Sequence, residues 1–399
     1  MKIRIDFCVL ALVVSTSAGI AVAAQGESYC NRPADFRQLK RDRGAKLEAL
    51  KSGKVDQLEG FYGGLVKAYE KGVASSSEMD GWFGTFEVVD LGAEPHIQSW
   101  LKKYPQSYAA HLAYARYLQT RAFQKRGTNF ASQTSEEQMR GMAADMKLML
   151  TVLDDAEPLS SKPVLSNALR ITAGRALGWP REQIDRDLRA AEKLDPTNSY
   201  ARTQYLWALM VKWGGLEGEL DRYLSDIQKS GLPQDIKDVI TWRGLVLQAE
   251  ELKTYATEDP AMEERVAQLY ERADALCSAF TWGGSDIVSY YVGKKDYKAA
   301  LRYLDRFEAK QPENSWHMQK RANVFFKMGL VQESFSEYKR AAEMGDPAGM
   351  SSLAWYYETG TVVPKDLRRA LQLYEASAAR GYANGRDGSE RVRKRIGPG

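Results

Sequence analysis

The chemistry-bearing residues are few and scattered. His96, His111 and His317 are the whole imidazole supply of the 399-residue chain. None forms a His-x-x-x-His or accompanies a Cys-x-x-Cys, the spacings that let one turn present two ligands to a structural zinc ion. No metal is therefore expected. No cofactor is expected either, because the chain lacks a phosphate-cradling glycine loop and a dinucleotide fingerprint. Ser99/Lys102 and Ser336/Lys339 each place a lysine one helical turn from a serine. Acylation by such a pair also needs a sheet beside the serine helix. The chain shows almost no strand pattern, so both pairs read as coincidences on exposed helices. Glu217, Glu219 and Asp221 read as a solvated helix face, and no catalytic residue is assigned.

Two constellations remain. His111 lies on a long apolar-striped segment with Tyr108 before it and Arg126-Gly127 closing it. The preferred reading is a buried polar residue that bonds the neighbouring loop. The sharper one makes His111, Tyr108 and Arg126 the lining of a ligand groove. Cys30 and Cys277 could form a disulfide in an oxidising compartment, provided their Cα atoms approach within ~7 Å. Two separate thiols are the equal alternative.

The compartment follows from the first residues. Lys2 and Arg4 precede the apolar run Phe7–Val14, and Ala21-Val22-Ala23 has the small-x-small pattern of a cleavage site. The run is shorter than the ~20 apolar residues that span a bilayer. Residues 1–23 are therefore expected to be a signal peptide cleaved after Ala23, leaving a periplasmic or secreted chain with no integral span. The 56 basic and 52 acidic residues nearly balance at a net +4. That gives no concentrated basic surface of the kind nucleic acid needs.

The elements that position these residues are helices. Apolar residues recur at helical spacing, with two early helices broken at Ser52-Gly53, Pro95 in a first turn, and Ser135 with Gln138 forming a capping box. Pro180 and Pro233 each suit a further first turn. Near the end a longer period appears. Ala300, with Phe307 after it, is followed 34 residues later by Ser334, in a frame with Ala322, Phe325, Gly329, Tyr338 and Ala341. This frame resembles the tetratricopeptide repeat. Leu353, Ala354, Tyr357, Gly360, Asp366, Ala370, Tyr374, Ala378 and Gly381 resemble a Sel-1-like repeat, with Gly360 ending one helix and Asp366 capping the next. Ala354 replaces that family's usual glycine, and Val362 sits where its loop often has one.

Upstream the periodicity degenerates. A Trp-Gly-Gly triplet at Trp213 and again at Trp282 suggests two further periods. From about Phe36 to Trp213 the chain resembles an exported bacterial helical family, the domain of unknown function numbered 4034. Trp100, Tyr104-Pro105-Gln106-Ser107, Ala110-His111-Leu112, Arg126-Gly127, the segment Thr134 to Gln138, and Trp213-Gly214-Gly215 carry the resemblance. It implies no known activity.

The expected fold is all-α, a right-handed solenoid of helix pairs preceded by a degenerate helical domain. Its expected parts are a helical domain over 24–279, repeats over 280–385, and a basic cap or tail over 386–399. The tryptophans, Trp82, Trp213 and Trp282 included, are assigned to core packing rather than sugar stacking. The expected function is a periplasmic protein-interaction module, whether scaffold, adaptor or immunity-type inhibitor, with a protein partner in its groove. The alternative is an envelope enzyme or glycan-binding protein working through the N-terminal helical domain.

Overall fold

The computed structural model describes residues 36–87, 91–127, 133–255, 259–277, 281–310, 314–380 and 382–397. The signal-like segment and Cys30 lie outside them, as do Gly381 and the side chain of Cys277, so the disulfide falls outside the described residues. Among the described residues there are nineteen α-helices and no strand.

Four helices open the chain: α1 (Phe36–Lys51), α2 (Val55–Glu70), α3 (Ser76–Phe83) and α4 (Glu94–Lys103). Pairs follow: α5 (Tyr108–Arg126) with α6 (Glu136–Ala156), α7 (Val164–Leu177) with α8 (Arg181–Leu194), α9 (Ser199–Ala208) with α10 (Glu219–Lys229), and α11 (Gln234–Tyr255) with α12 (Pro260–Cys277). The last pairs are α13 (Thr281–Gly293) with α14 (Tyr297–Lys310), α15 (Ser315–Lys327) with α16 (Val331–Glu343), and α17 (Pro347–Thr359) with α18 (Leu367–Ala378). Helix α19 (Ala383–Ile396) closes the stack.

Local stop and start signals set these boundaries. Ser107, Ser135 and Asp366 each accept a backbone N–H from the first turn of α5, α6 and α18. Gln138 returns the bond to Ser135, completing the capping box. Gly360 ends α17 in the left-handed region. Pro180 and Pro233 stand immediately before α8 and α11 rather than inside them.

First helices of successive pairs pack directly on one another, α5 on α7, α7 on α9, α9 on α11, and later α15 on α17. The second helices lie behind them, so the first helices α5, α7, α9 and α11 form one row, and α15 with α17 repeats the arrangement nearer the C-terminus. The apolar interior is divided accordingly. One cluster runs from Leu50 to Leu247 and a second from Val239 to Val324. Smaller clusters join Ala322 to Tyr356 and Ala354 to Val392. Helices α11, α15 and α17 each contribute to two consecutive clusters, as expected where no pair can bury its apolar face alone. The first two clusters meet within α11, which contributes Ile240 and Leu247 to one and Val239 and Trp242 to the other.

The phased small residues sit where the helices cross. Ala300, Ser334 and Ala370 lie on the second helices α14, α16 and α18 and are fully buried. Ser334 Oγ donates to the Ala322 carbonyl of α15 at 2.8 Å and accepts from Tyr356 Oη at 2.9 Å. Ala322, Tyr338, Ala341, Leu353, Ala354 and Tyr374 are buried as well, while Phe325, Tyr357 and Ala378 are half-buried and Gly329 turns left-handed after α15.

The Trp-Gly-Gly periodicity is corrected. Trp213 ends a short 3-10 turn after α9, with Gly214 left-handed at φ 90°, whereas Trp282 lies in the first turn of α13. The shared triplet is a coincidence of composition, because the two segments adopt different backbones. At the first triplet, a Cβ on Gly215 would collide with the Leu209 carbonyl. In the basic segment expected as a cap or tail, residues 386–396 belong to α19, where Val392 is fully buried.

Candidate functional site

Helix α5 places Arg116, Gln119, Phe123 and Arg126 along one face at helical spacing. That face looks onto α7 and α9. Its two ends are organised differently.

At the N-terminal end the charges are matched. The buried guanidinium of Arg116 pairs with Asp80, lies 2.7 Å from Glu87 Oε1, and rests 4.8 Å from the centroid of the Tyr200 ring. Burial works against this charge, and Tyr200, followed by the two carboxylates, raises the Arg116 pKa above its ordinary value nonetheless. A similar network joins α4, α5 and α6, where Arg121 pairs with Glu94 and with Asp145 at 2.8 Å.

At the C-terminal end the cations gather against aromatic rings. Arg175, in the last turn of α7, stands 4.4 Å from the Trp213 centroid, 5.4 Å from Trp207 and 5.8 Å from Phe123. Arg126 approaches the Trp213 ring at 5.6 Å. Lys212 and Arg243 approach Trp207 at 5.6 and 5.3 Å. Four cations from α5, α7, the turn after α9, and α11 therefore share three aromatic rings. Cation–π attraction and the negative C-terminal end of α7 favour them there. Even so, Arg175 makes no ion pair among the described residues. Its Nε–H and the Nε1–H of Trp213 are buried without an acceptor. Burial pushes the Arg175 guanidinium down to about 10, and Arg126 adds to the shift. Burial also lowers the Lys212 ammonium; Glu250 and Glu251 pull it back, and Arg175 lowers it further.

The residues singled out from sequence are distributed as follows. Arg126 belongs to this cluster. Tyr108 is buried, bonded to Ser166 Oγ at 3.0 Å and pushed up to about 12 by burial, so it faces the interior. His111 is half-buried, with Nδ1 2.8 Å from the Ser107 carbonyl of the preceding loop. All three lie on α5, Tyr108 and His111 in its first turn and Arg126 at its last residue, and each makes its own contacts. Trp82 packs edge-on against Phe61, and the side chain of Trp282 lies outside the described residues. Ser99/Lys102 and Ser336/Lys339 are exposed on helix surfaces. Among the described residues, no three or more His, Cys, Asp or Glu side chains gather as metal ligands would.

Sequence reasoning missed Arg175, Trp207, Lys212 and Arg243, and took Trp213 for packing alone. Only a cation on every element whose ends meet there hinted at the site.

Comparison with known proteins places part of this region. Residues 78–185 match the family described as Domain of unknown function (DUF4034). The matched span holds Arg116, Arg126 and Arg175, while Trp207, Trp213 and Arg243 lie beyond it. The expected family is thus the one found, over a shorter span than Phe36 to Trp213. No curated protein matches the chain. Several solved helical proteins are similar in structure. The chain is 14% identical to c5321, a protective antigen of uropathogenic Escherichia coli displaying an SLR fold, covering 91% of this chain and 80% of that one at a TM-score of 0.36. Human IFIT1, solved as a dimer with m7Gppp-AAAA, is 14% identical over 89% and 87% at 0.38. Yeast Tom70 is 10% identical over 91% and 79% at 0.41.

Proposed function

We propose that this protein is an interaction module acting outside the cytoplasm, with no catalysis of its own, that holds a protein partner along its row of first helices. The observation that carries this reading is the convergence of α5, α7, α9 and α11 side chains on one surface. Arg126, Arg175, Trp207 and Arg243 come from four different elements, and no single pair could present them together. Such composite surfaces suit an extended segment or a helix of a partner. Toward the C-terminus, also on first helices, exposed Phe326 of α15 meets exposed Trp355 of α17 edge-on at 5.7 Å. Among the described residues no helix is long and apolar enough to cross a membrane, and the signal-like first 23 residues support export. A scaffold, an adaptor and an immunity-type inhibitor are the forms this module would take.

The test is site-specific photocrosslinking of the full-length protein in its own cells. A crosslinker at Trp355 or Gln119, on first helices, is expected to give a discrete stoichiometric adduct. One at exposed Lys339, on the second helix α16, is expected to give none. Equal labelling from all three positions, or none from any, would sink the proposal.

A further inference from the structure

Burying a guanidinium without a carboxylate is costly, and leaving its N–H unbonded adds to the cost. The fold pairs the Arg116 charge with Asp80 and Glu87, although the Arg116 Nε–H is itself buried without an acceptor, and pairs Arg121 with Glu94 and Asp145. No carboxylate is paired with Arg175 among the described residues. Two buried donors, Arg175 Nε–H and Trp213 Nε1–H, end up side by side with no acceptor, and three further cations surround them. The guanidinium lies against the indole, and its terminal nitrogens make no hydrogen bond within the described residues. A planar guanidinium edge of this kind suits a planar two-oxygen acceptor.

We propose that Arg175 and Trp213 form a subsite for a side-chain carboxylate from an acidic, partly apolar segment of a partner polypeptide; this deepens the interaction reading above and rests on it. The apolar part of the ligand follows from the same turn. Val211 and Leu216, either side of Trp213, are 53% and 69% exposed, an apolar shelf beside the cation cluster. Nucleic acid fits less well. A phosphate chain carries charge at every residue and needs a continuous basic track, whereas Glu250 and Glu251 flank this cluster and the chain as a whole is nearly charge-balanced.

Binding is measured by fluorescence anisotropy with full-length protein. The probe is a short end-capped peptide of alternating glutamate and leucine. A glutamine-for-glutamate version and a single-stranded oligonucleotide serve as comparisons. The glutamate peptide is expected to bind, and the glutamine peptide at least tenfold more weakly. Arg175→Met keeps an apolar stem against the three rings and removes the charge. It is expected to weaken the glutamate peptide at least tenfold while the unliganded thermal midpoint holds or rises, because an uncompensated cation has been removed. Trp213→Phe keeps a ring and removes the donor, and a threefold or greater loss with an unchanged circular dichroism spectrum is expected. This second variant decides the matter should Arg175→Met fail to fold. Equal binding of the two peptides, tighter binding of the oligonucleotide, or unaltered affinity in folded Arg175→Met and Trp213→Phe would overturn the subsite. A crosslinked partner retained undiminished by folded Arg175→Met also overturns it and leaves the interaction module standing. A glutamate peptide that binds as described, to a protein that crosslinks no partner, overturns the module instead.

Discussion

The middle of the row, α5 to α11, and its C-terminal end, α13 to α19, are built from the same helix pairs but held together differently. At the C-terminal end the crossings are set by residue size. Ala300, Ser334 and Ala370 let each second helix approach its first, and the period survives in the sequence because only small residues fit. In the middle, long side chains do the same work. Arg116 reaches Asp80 and Glu87 from α5, and Arg175 fills the space between Phe123, Trp207 and Trp213. A long side chain bridges a variable gap, so helix spacing there imposes no strict period. Irregularity and the candidate site therefore have one cause.

The largest effect expected from breaking this contrast lies in the middle. Gly215→Ala drives a Cβ into the Leu209 carbonyl, which is backbone and cannot rotate away. A loss of about 3 kcal/mol is expected, read by urea unfolding, with the Trp213 turn displaced and glutamate-peptide binding lost with it. Gly214→Ala would instead strain a left-handed position, at about 1 kcal/mol. Comparable losses from the two variants would mean that the close approach does not position Trp213.

At the C-terminal end the counterpart is ionic. Glu358 of α17 is buried and receives Arg391 Nη2 at 2.8 Å, Arg395 Nη1 at 2.5 Å and Tyr374 Oη at 2.9 Å. These contacts pin α19 over the end of the stack. The hydrogen bond from Arg391 leads in holding the Glu358 carboxyl below its ordinary value, and Tyr374 and Arg395 add to it. A depressed carboxyl stabilises the fold fully above its unfolded pKa of ~4.3, and that contribution fades as pH falls through the lower folded value. The protection of α19 against hydrogen exchange, relative to the intrinsic rate at each pH, should therefore fall selectively at acid pH. Glu358→Gln should loosen α19 by about 2 kcal/mol at neutral pH, less than a fully buried pair would, because both arginines can return to water. It should also flatten the acid dependence. A variant whose α19 still loses exchange protection in acid would move the switch elsewhere.

A third break is smaller. Ser334→Ala removes the acceptor of Tyr356 Oη and the donor to Ala322 O without changing the crossing distance. About 1 kcal/mol is expected, measured as loss of exchange protection in α15 to α17. Ser334→Leu at the same place would overfill the crossing and cost more. If the two variants were equal, the hydrogen bonds rather than the size would set the spacing.

What could be read beforehand follows the same division. Helix ends were legible because their causes are local: Ser135 and Gln138 are three residues apart, and Gly360 and Asp366 bracket one loop. The C-terminal period was legible because size alone maintains it. The candidate site was not. Arg126, Arg175, Lys212 and Arg243 lie on separate elements, and each looks like an ordinary helix-end or surface cation until the helices stack. Trp213 invited a packing assignment because an indole between two guanidinium groups has no one-dimensional signature. Arg391 and Arg395 read as a solvated cap for a similar reason, since their acceptor lies more than thirty residues upstream. The Trp282 triplet shows the converse failure, in which a shared string has no shared backbone.

The caps supply the finest test of where the two regions differ. Ser135 and Asp366 each bond a backbone N–H three residues on, Ser135 at the start of α6 in the middle region and Asp366 at the start of α18 near the end. A cap acts within one helical turn and takes no part in how pairs stack. Ser135→Ala and Asp366→Ala should therefore cost alike, about 1 kcal/mol each, although their surroundings differ. Asp366 carries the additional attraction of a carboxylate to the helix N-terminus, worth a few tenths of a kcal/mol at low salt and less at high salt. Exchange protection of the first turns of α6 and α18, measured at two salt concentrations, separates the contributions. Equal losses at high salt would confirm that the regions share their local rules and diverge only in packing. A much larger loss at Ser135 would show that the middle region depends on its caps for want of regular crossings.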